Sequence, residues 1–375
     1  MKKWSVLLFI TFLATTNSFA KNQKLPNFKI DGTINADSGK VSLFFFDYLP
    51  DKTKNLEAQV KNNKFSFSGY IPESQGVYIT FNGKWIYMSK EFIIDKGEQI
   101  VSINMDSLGT IPNVKNKTMQ EEYPKWTAFN KDMDAKYKLF NQRYDSLQKV
   151  YNRHLPEAVS LICDKEIKAL YKESDSTLLQ YTKKNPNSKI AFWRLIHLMD
   201  FGYEPIFDSI YNTFSNTLKD GYAGKTLYQK LKDSKQLSAG QQFPDVNCID
   251  MNHEKFSPTI FLKNKLTLVD FWYSNCSPCR RQFPNMRELY KQYGDKGFEI
   301  VGISVDKTEY KKEWENLIIN DKLIWKQYLD RDGVEVNKLS IYAFPTNFLI
   351  DNTGKIIFKN ISMAELKEFL NKTFK

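Results

Sequence analysis

Eight residues, Leu266 to Tyr273 (LTLVDFWY), form an apolar run that ends three residues ahead of Cys276-Ser277-Pro278-Cys279 and holds a single acid, Asp270. A short run rich in aromatic and β-branched residues predicts a strand buried on both faces. Residues 278–293 then read as a helix, with Pro284 expected to break it. A strand buried on both faces needs parallel neighbours and covering helices, and the following residues supply them. FEIVGISVD is the next strand, followed by a helix near 308–320 and a short helix near 332–340. The strand TNFLID, the turn Asn352-Thr353-Gly354-Lys355, the strand IIFKN and a terminal helix from Met363 complete the series. Residues 236–375 are therefore expected to form an α/β domain: a β-α-β unit, then a hairpin and a helix.

The remaining chain changes period twice. In 25–110 short runs such as FKIDGTI, KVSLFFFDY and KFSFS alternate apolar and polar residues, and Asn62-Asn63 sits where a hairpin would turn. These runs predict a small antiparallel sandwich or barrel over 21–117. In 118–235 Trp126, Phe129, Met133, Tyr137, Phe140, Tyr144, Leu147 and Tyr151 step by three or four, one face of a long helix that Pro156 should end. Val159, Cys163, Ile167 and Leu170 begin a second helix, Ser188 is placed to cap a third, and Gly221 and Gly224 are expected to separate two more. The fold class is multidomain α+β: an N-terminal β-domain, a helical linker bundle and a C-terminal α/β domain. Self-association through the helical stripe is the alternative role for the middle zone.

The first residues, MKKWSVLLFITFLATTNSFA, have the basic start, short apolar stretch and small-residue end of a secretory signal. The reading is a signal peptide over 1–20 and an extracytoplasmic, periplasmic mature chain that is soluble after cleavage. The net charge of +11 is dispersed and interleaved with acids, which argues against nucleic acid as a partner. Four cysteines in 375 residues are too few for a disulfide framework.

Cys276 to Cys279 is where chemistry is expected. Thiol exchange requires a thiolate, and a helix N-terminus offers unpaired N–H groups and the positive end of the dipole. Cys276 at that terminus is expected to be exposed and to be the nucleophile. Cys279, one turn on, is placed to resolve a mixed disulfide. Pro278 suits the first turn, where its missing N–H costs nothing. A zinc site would need a second ligand pair, which Cys163, Cys248, His154, His197 and His253 do not offer at ligand spacing. A purely structural disulfide is the remaining alternative. Cys163, on the apolar face of its helix, reads as a buried free thiol, Cys248 lies in FPDVNCID, and a bridge between the two is the other option.

Residues 240–375 resemble the TlpA/ResA-like branch of the thioredoxin superfamily. The likeness rests on Val269-Asp270-Phe271-Trp272, Cys276 to Cys279, Pro284, and Phe344-Pro345-Thr346. It implies a thioredoxin-like fold and thiol–disulfide oxidoreductase activity, with Asp270 as the buried acid that takes a proton from Cys279. It also implies a cis Pro345 beside the dithiol, with Trp272, Phe344 and Pro345 forming the substrate-binding surface. No metal or organic cofactor is implied. The partners implied are protein disulfides, including apocytochromes in cytochrome c maturation, and a membrane thiol electron donor. Asn275 stands where the family usually has Trp, and Gln282 where related reductases often carry Glu, which bears on the redox poise. The upstream zones also resemble a small β-domain and helical linker that precede such domains in exported bacterial proteins. Two other readings use the same residues: a binding scaffold with a fixed disulfide, and an oxidase or isomerase.

Overall fold

The computed structural model describes residues 24–46, 48–50, 55–83, 86–107 and 109–375. The expected signal peptide, 1–20, lies outside the described residues. Among those described, the N-terminal zone holds β1 (Phe28–Ile34), β2 (Ser38–Phe45), β3 (Asn55–Lys61), β4 (Lys64–Gly69), β5 (Gln75–Asn82), β6 (Ile86–Met88), β7 (Phe92–Ile94), β8 (Gly97–Ile103) and β9 (Asn113–Lys115). They join in the order β6-β5-β2-β3-β4-β1-β8-β9, with β7 pairing to β5. Alternation in β1 buries Phe28, Ile30 and Ile34 and leaves Lys29, Asp31 and Thr33 outside. Asn62 and Asn63 both take positive φ and turn the β3–β4 hairpin. The sheet folds over itself, since the rings of Phe28 on β1 and Phe45 on β2 lie 6.4 Å apart although those strands are not hydrogen-bonded neighbours.

One feature of the antiparallel expectation is corrected: β1 and β8 pair in parallel along their whole length. The intervening β2 to β7 form a connection long enough to bring β8 back in the same direction, which a hairpin cannot do.

The helices are α1 (Lys117–Glu121), α2 (Tyr123–Val150), α3 (Glu157–Lys184), α4 (Lys189–Met199), α5 (Pro205–Thr213), α6 (Asn216–Lys219) and α7 (Tyr222–Lys235). Along the apolar stripe of α2, Trp126 and Phe129 pack on Tyr181 of α3 at 5.0 and 5.1 Å. Pro156 does not end α2, which stops at Val150, but is the N-cap of α3. Ser188 caps α4, its Oγ accepting the Ala191 N–H at 3.3 Å. Gly221 precedes α7, whereas Gly224 lies inside it, where a Cβ would come within 2.1 Å of the Leu218 carbonyl oxygen. Gly224 thus marks a close approach between backbones, not a boundary.

The helical zone is more than a linker, because one hydrophobic core runs through it and the β-domain. Trp193 of α4 is 1% exposed, donates its indole N–H to the Ser74 carbonyl at 3.0 Å and meets Tyr48 edge-on. Trp193→Ala is expected to cost about 3–5 kcal/mol, read by urea denaturation of the β-domain and helices.

The C-terminal domain contains β10 (Ile249–Asp250), α8 (Thr259–Leu262), β11 (Leu266–Trp272), α9 (Ser277–Tyr293), β12 (Phe298–Ser304), α10 (Lys311–Asn320), β13 (Lys326–Leu329), α11 (Val334–Lys338), β14 (Thr346–Asp351), β15 (Ile356–Lys359) and α12 (Met363–Thr373). Its sheet runs β10-β13-β12-β11-β14-β15, with β11, β12 and β13 parallel and β14 antiparallel to β11. All seven residues of β11 are buried. Leu266, Leu268 and Trp272 face a core with Phe283, Met286 and Leu289 of α9, while Val269 and Phe271 face Phe243, Phe261 and Phe348. Pro284 does not break α9, which continues to Tyr293. Proline there deletes one N–H toward the carbonyl of residue 280, and the buried stripe on both sides holds the helix together.

The helical zone meets this domain through α3 and α12. Lys165 pairs with Glu368 at 3.1 Å, Lys367 with Glu157 at 2.7 Å, and Lys168 with Glu365. Such half-exposed pairs set orientation more than they add stability.

Candidate active site

β11, an interior strand, ends at Trp272 and α9 begins five residues later, with Cys276 as its N-cap. The Cys279 N–H donates to Cys276 Sγ at 3.1 Å, so an unpaired helix-terminal donor points at sulfur. Cys276 and Cys279 are joined as a disulfide, with Cα atoms 5.3 Å apart. In the reduced state the same N–H and the helix dipole favour a thiolate at Cys276.

The expected exposure of Cys276 is not met, because both cysteines are 1% exposed. The sulfur meets its partner and the Cys279 N–H, and Cys276 belongs to the core that contains Trp272 and Phe283 and against which the half-buried Phe344 packs. Its neighbours Asn275 and Ser277 are exposed, so the backbone around Cys276 reaches solvent although the sulfur does not.

Asp270 is 2% exposed, and its Oδ1 has no hydrogen-bond partner. Its side chain shares a face with Leu268 and Trp272, by the two-residue period of the strand, and so lies beneath α9 with the cysteines. Burial alone pushes its carboxyl up to about 8.

Trp272 differs from its expected role at the substrate surface. It is 1% exposed, donates its indole N–H to Gln327 Oε1 at 3.2 Å and meets Phe283 edge-on at 5.2 Å. A strand residue facing the α9 side is covered by that helix, so Trp272 is framework. The Phe344–Pro345 peptide is cis. Phe344 packs against the core containing both cysteines, and its ring meets Tyr273 edge-on at 5.7 Å.

Sequence reasoning missed two residues. Asp306, just after β12, accepts from the Ser274 N–H at 2.9 Å and the Ser274 hydroxyl at 2.7 Å, clamping the loop two residues before Cys276. Its signal was the polar Ser304-Val305-Asp306 end of an apolar strand. Gln327 had none, since its partner Trp272 lies 55 residues earlier. Gln282, noted as a departure from the family pattern, holds a buried Oε1 without a hydrogen-bond partner.

A cleft of about 360 Å3 flanks the dithiol, lined by Asn275, Ser277, Arg280, Arg281, Arg287 and Asp321. Arg281 donates to Ser277 Oγ at 2.9 Å, and Arg280 pairs with Asp321 at 3.4 Å. A larger cavity of about 1060 Å3 lies between the β-domain and the helices, beside Tyr78, Trp126, Tyr137 and Arg194, and no cysteine lines it. Cys163 and Cys248 are free and buried rather than bridged, and burial raises both thiols. Among the described residues no His, Cys, Asp and Glu cluster is placed to hold a metal ion, and no helix is long and apolar enough to cross a membrane.

Residues 239–359 match the AhpC/TSA family, and residues 28–123 match a domain of unknown function, DUF4369. The chain is 31% identical over 156 residues to the thiol-disulfide oxidoreductase ResA of Bacillus cereus, covering 40% of this chain and 88% of that protein. It is 30% identical over 155 residues to the thioredoxin-like protein YneN of Bacillus subtilis, covering 40% of this chain and 89% of the relative. Among solved structures, the thioredoxin domain of a thiol-disulfide oxidoreductase from Bacteroides vulgatus is 33% identical, covering 37% of this chain and 99% of that one at a TM-score of 0.34. With an α/β domain carrying a Cys-x-x-Cys pair at a helix N-terminus, the chain belongs to the ResA-like thiol-disulfide oxidoreductases of the thioredoxin superfamily.

Proposed function

We propose that this oxidoreductase works outside the cytoplasm as a reductase of protein disulfides, with Cys276 as nucleophile, Cys279 as resolving thiol and Asp270 as proton acceptor. The observation that carries the reading is the N–H of Cys279 aimed at Cys276 Sγ, at a helix terminus above the buried carboxyl of Asp270.

In the forward reaction the Cys276 thiolate attacks one sulfur of a substrate disulfide. The substrate S–S bond breaks, its other sulfur leaves as a thiolate and takes a proton from water, and a Cys276–substrate disulfide remains. Cys279 then gives its proton to the Asp270 carboxylate and attacks Cys276 Sγ. The Cys276–Cys279 bond forms, the second substrate thiolate leaves, and two electrons have passed from protein to substrate. The exposed backbone at Asn275 and Ser277 and the Phe344–Pro345 segment receive the substrate chain. A partner dithiol, in the membrane by family resemblance, restores the reduced pair, and apocytochromes are among the candidate substrates.

The test is the reduction potential of the Cys276–Cys279 pair, measured by equilibration in thiol redox buffers with Cys276→Ser as control. The expected value is more reducing than about −230 mV, toward thioredoxin on the dithiol scale. A couple near about −120 mV reverses the direction to an oxidase, and an irreducible disulfide leaves only a scaffold.

A further inference from the structure

Four residues stand in one row across the C-terminal sheet. Asn347 on β14 is in register with Asp270 on β11, Asp270 with Gly302 on β12, and Gly302 with Gln327 on β13. The row faces α9, because Leu268 and Trp272 on β11, Ile300 on β12, and Leu329 on β13 belong to the core that holds both cysteines.

The hydrogen bonding of this row is incomplete at two atoms. Asn347 is engaged elsewhere, its Nδ2 donating to the Ile361 carbonyl at 3.1 Å and its Oδ1 accepting the Ile361 N–H at 3.0 Å. Gly302 leaves open the space that the Gln327 amide fills: a Cβ at position 302 would stand 2.2 Å from Gln327 Oε1 and 2.9 Å from Nε2. The Gln327 side chain therefore crosses β12 toward β11, where its Oε1 accepts the Trp272 indole N–H at 3.2 Å. Its Nε2 is buried without a hydrogen-bond partner, as is Asp270 Oδ1. A spare donor and a spare acceptor thus share one buried row with only a glycine between them, in a protein interior where such groups are normally paired.

We propose that Gln327 is the positioning residue of the buried acid, its Nε2–H donating to the Asp270 carboxylate when that group is ionised, with Trp272 holding the amide in place. The inference rests on the proton-acceptor role proposed for Asp270 and names what makes that role workable. The carboxylate that receives the Cys279 proton must first exist in a dry core, and one aimed N–H stabilises that charged form over the neutral one, so more of it is present at a given pH. The neighbours facing Asp270 across the sheet are the neutral amides of Asn347 and Gln327, and the only cause acting on its carboxyl is burial. The proton moves from Cys279 Sγ to Asp270, the Cys276–Cys279 bond forms, and the substrate sulfur departs with the electron pair. The substrate disulfide is the oxidant. Gly302 also gains a reason, since any side chain there displaces the amide.

The experiment is a carbon-13 NMR titration of the Asp270 carboxyl in the reduced full chain, with the pH profile of kcat on a disulfide peptide measured in parallel. Gln327→Leu removes the donor, and Gln327→Met, which keeps the length of the side chain, serves if the first variant does not fold. The Asp270 midpoint is expected to rise by about one unit, a tenfold loss of carboxylate at a fixed pH below the midpoint. The acid limb of kcat should rise with it. In an Asp270→Asn background, Gln327→Leu should leave the profile where the first substitution puts it. A midpoint that does not move in a folded variant overturns the pairing and leaves the oxidoreductase reading intact. A midpoint that rises while kcat does not follow supports the pairing and removes Asp270 from the resolution step.

Discussion

Cys276→Ser is expected to lower disulfide reduction by about three orders of magnitude or more, because a serine hydroxyl is not ionised at neutral pH and cannot replace the thiolate. Cys279→Ser behaves differently. Its Cys276 still attacks but nothing resolves the product, so protein and substrate remain joined one to one. Mass spectrometry of the acid-quenched reaction distinguishes the two, since the adduct accumulates in Cys279→Ser and is absent in Cys276→Ser. The asymmetry has a structural basis: Cys276 is the N-cap and its sulfur accepts the Cys279 N–H, whereas Cys279 lies one turn inside the helix. An adduct in Cys276→Ser and none in Cys279→Ser would exchange the two roles.

The second large effect belongs to Asp270 and shows in stability as well as rate. Burial raises its carboxyl from 3.8 to about 8 in the folded protein. Between those values the folded chain holds a proton that the unfolded chain has released, so stability present at low pH is lost as pH rises through the folded value. At about 1.4 kcal/mol per pH unit, the loss attributable to this group is about 4 kcal/mol between pH 4 and 7. Asp270→Asn cannot ionise and escapes it. Urea denaturation of the oxidised proteins should therefore show the variant more stable than wild type at pH 8, with the gap closing toward pH 4. Parallel curves would mean that Asp270 ionises normally. In turnover the order reverses, and Asp270→Asn should slow resolution of the mixed disulfide by about a hundredfold, the usual contribution of a positioned base. A variant that is more stable and slower fits a buried acid kept for chemistry at a cost to the fold.

The two effects separate what the dithiol and the acid each supply. Both cysteines lie within one turn of a helix, and the roles proposed for them draw on local geometry at its N-terminus. Asp270 belongs to the sheet beneath, and its properties depend on how completely α9 and the neighbouring strands exclude water.

Much of this protein is legible in the order of its residues, wherever a local rule decides the outcome. Asn62-Asn63 makes a hairpin because both residues tolerate positive φ. Ser188 caps α4 through a hydroxyl three residues from its donor. Leu266 to Trp272 is a buried strand by its apolar run, and the cysteine spacing places two sulfurs on one turn. These relations span a few residues, and backbone geometry allows few alternatives. Tertiary structure decided the rest. The parallel pairing of β1 with β8 links residues about seventy positions apart, and alternation within either strand carries no information about direction. Pro284 looked like a helix break because the loss of a hydrogen bond is local, while the core contacts that hold α9 together come from other elements. Trp272 looked like a contact residue and Cys276 like an exposed one, yet burial is set by what folds over a side chain. The row of Asp270, Gly302 and Gln327 exists only once three strands lie side by side in register. The sequence by itself determined where the cysteine pair stands, at the start of a helix that follows a buried strand, and only the packed sheet decided what surrounds Asp270, because desolvation and cross-strand hydrogen bonding arise between distant segments.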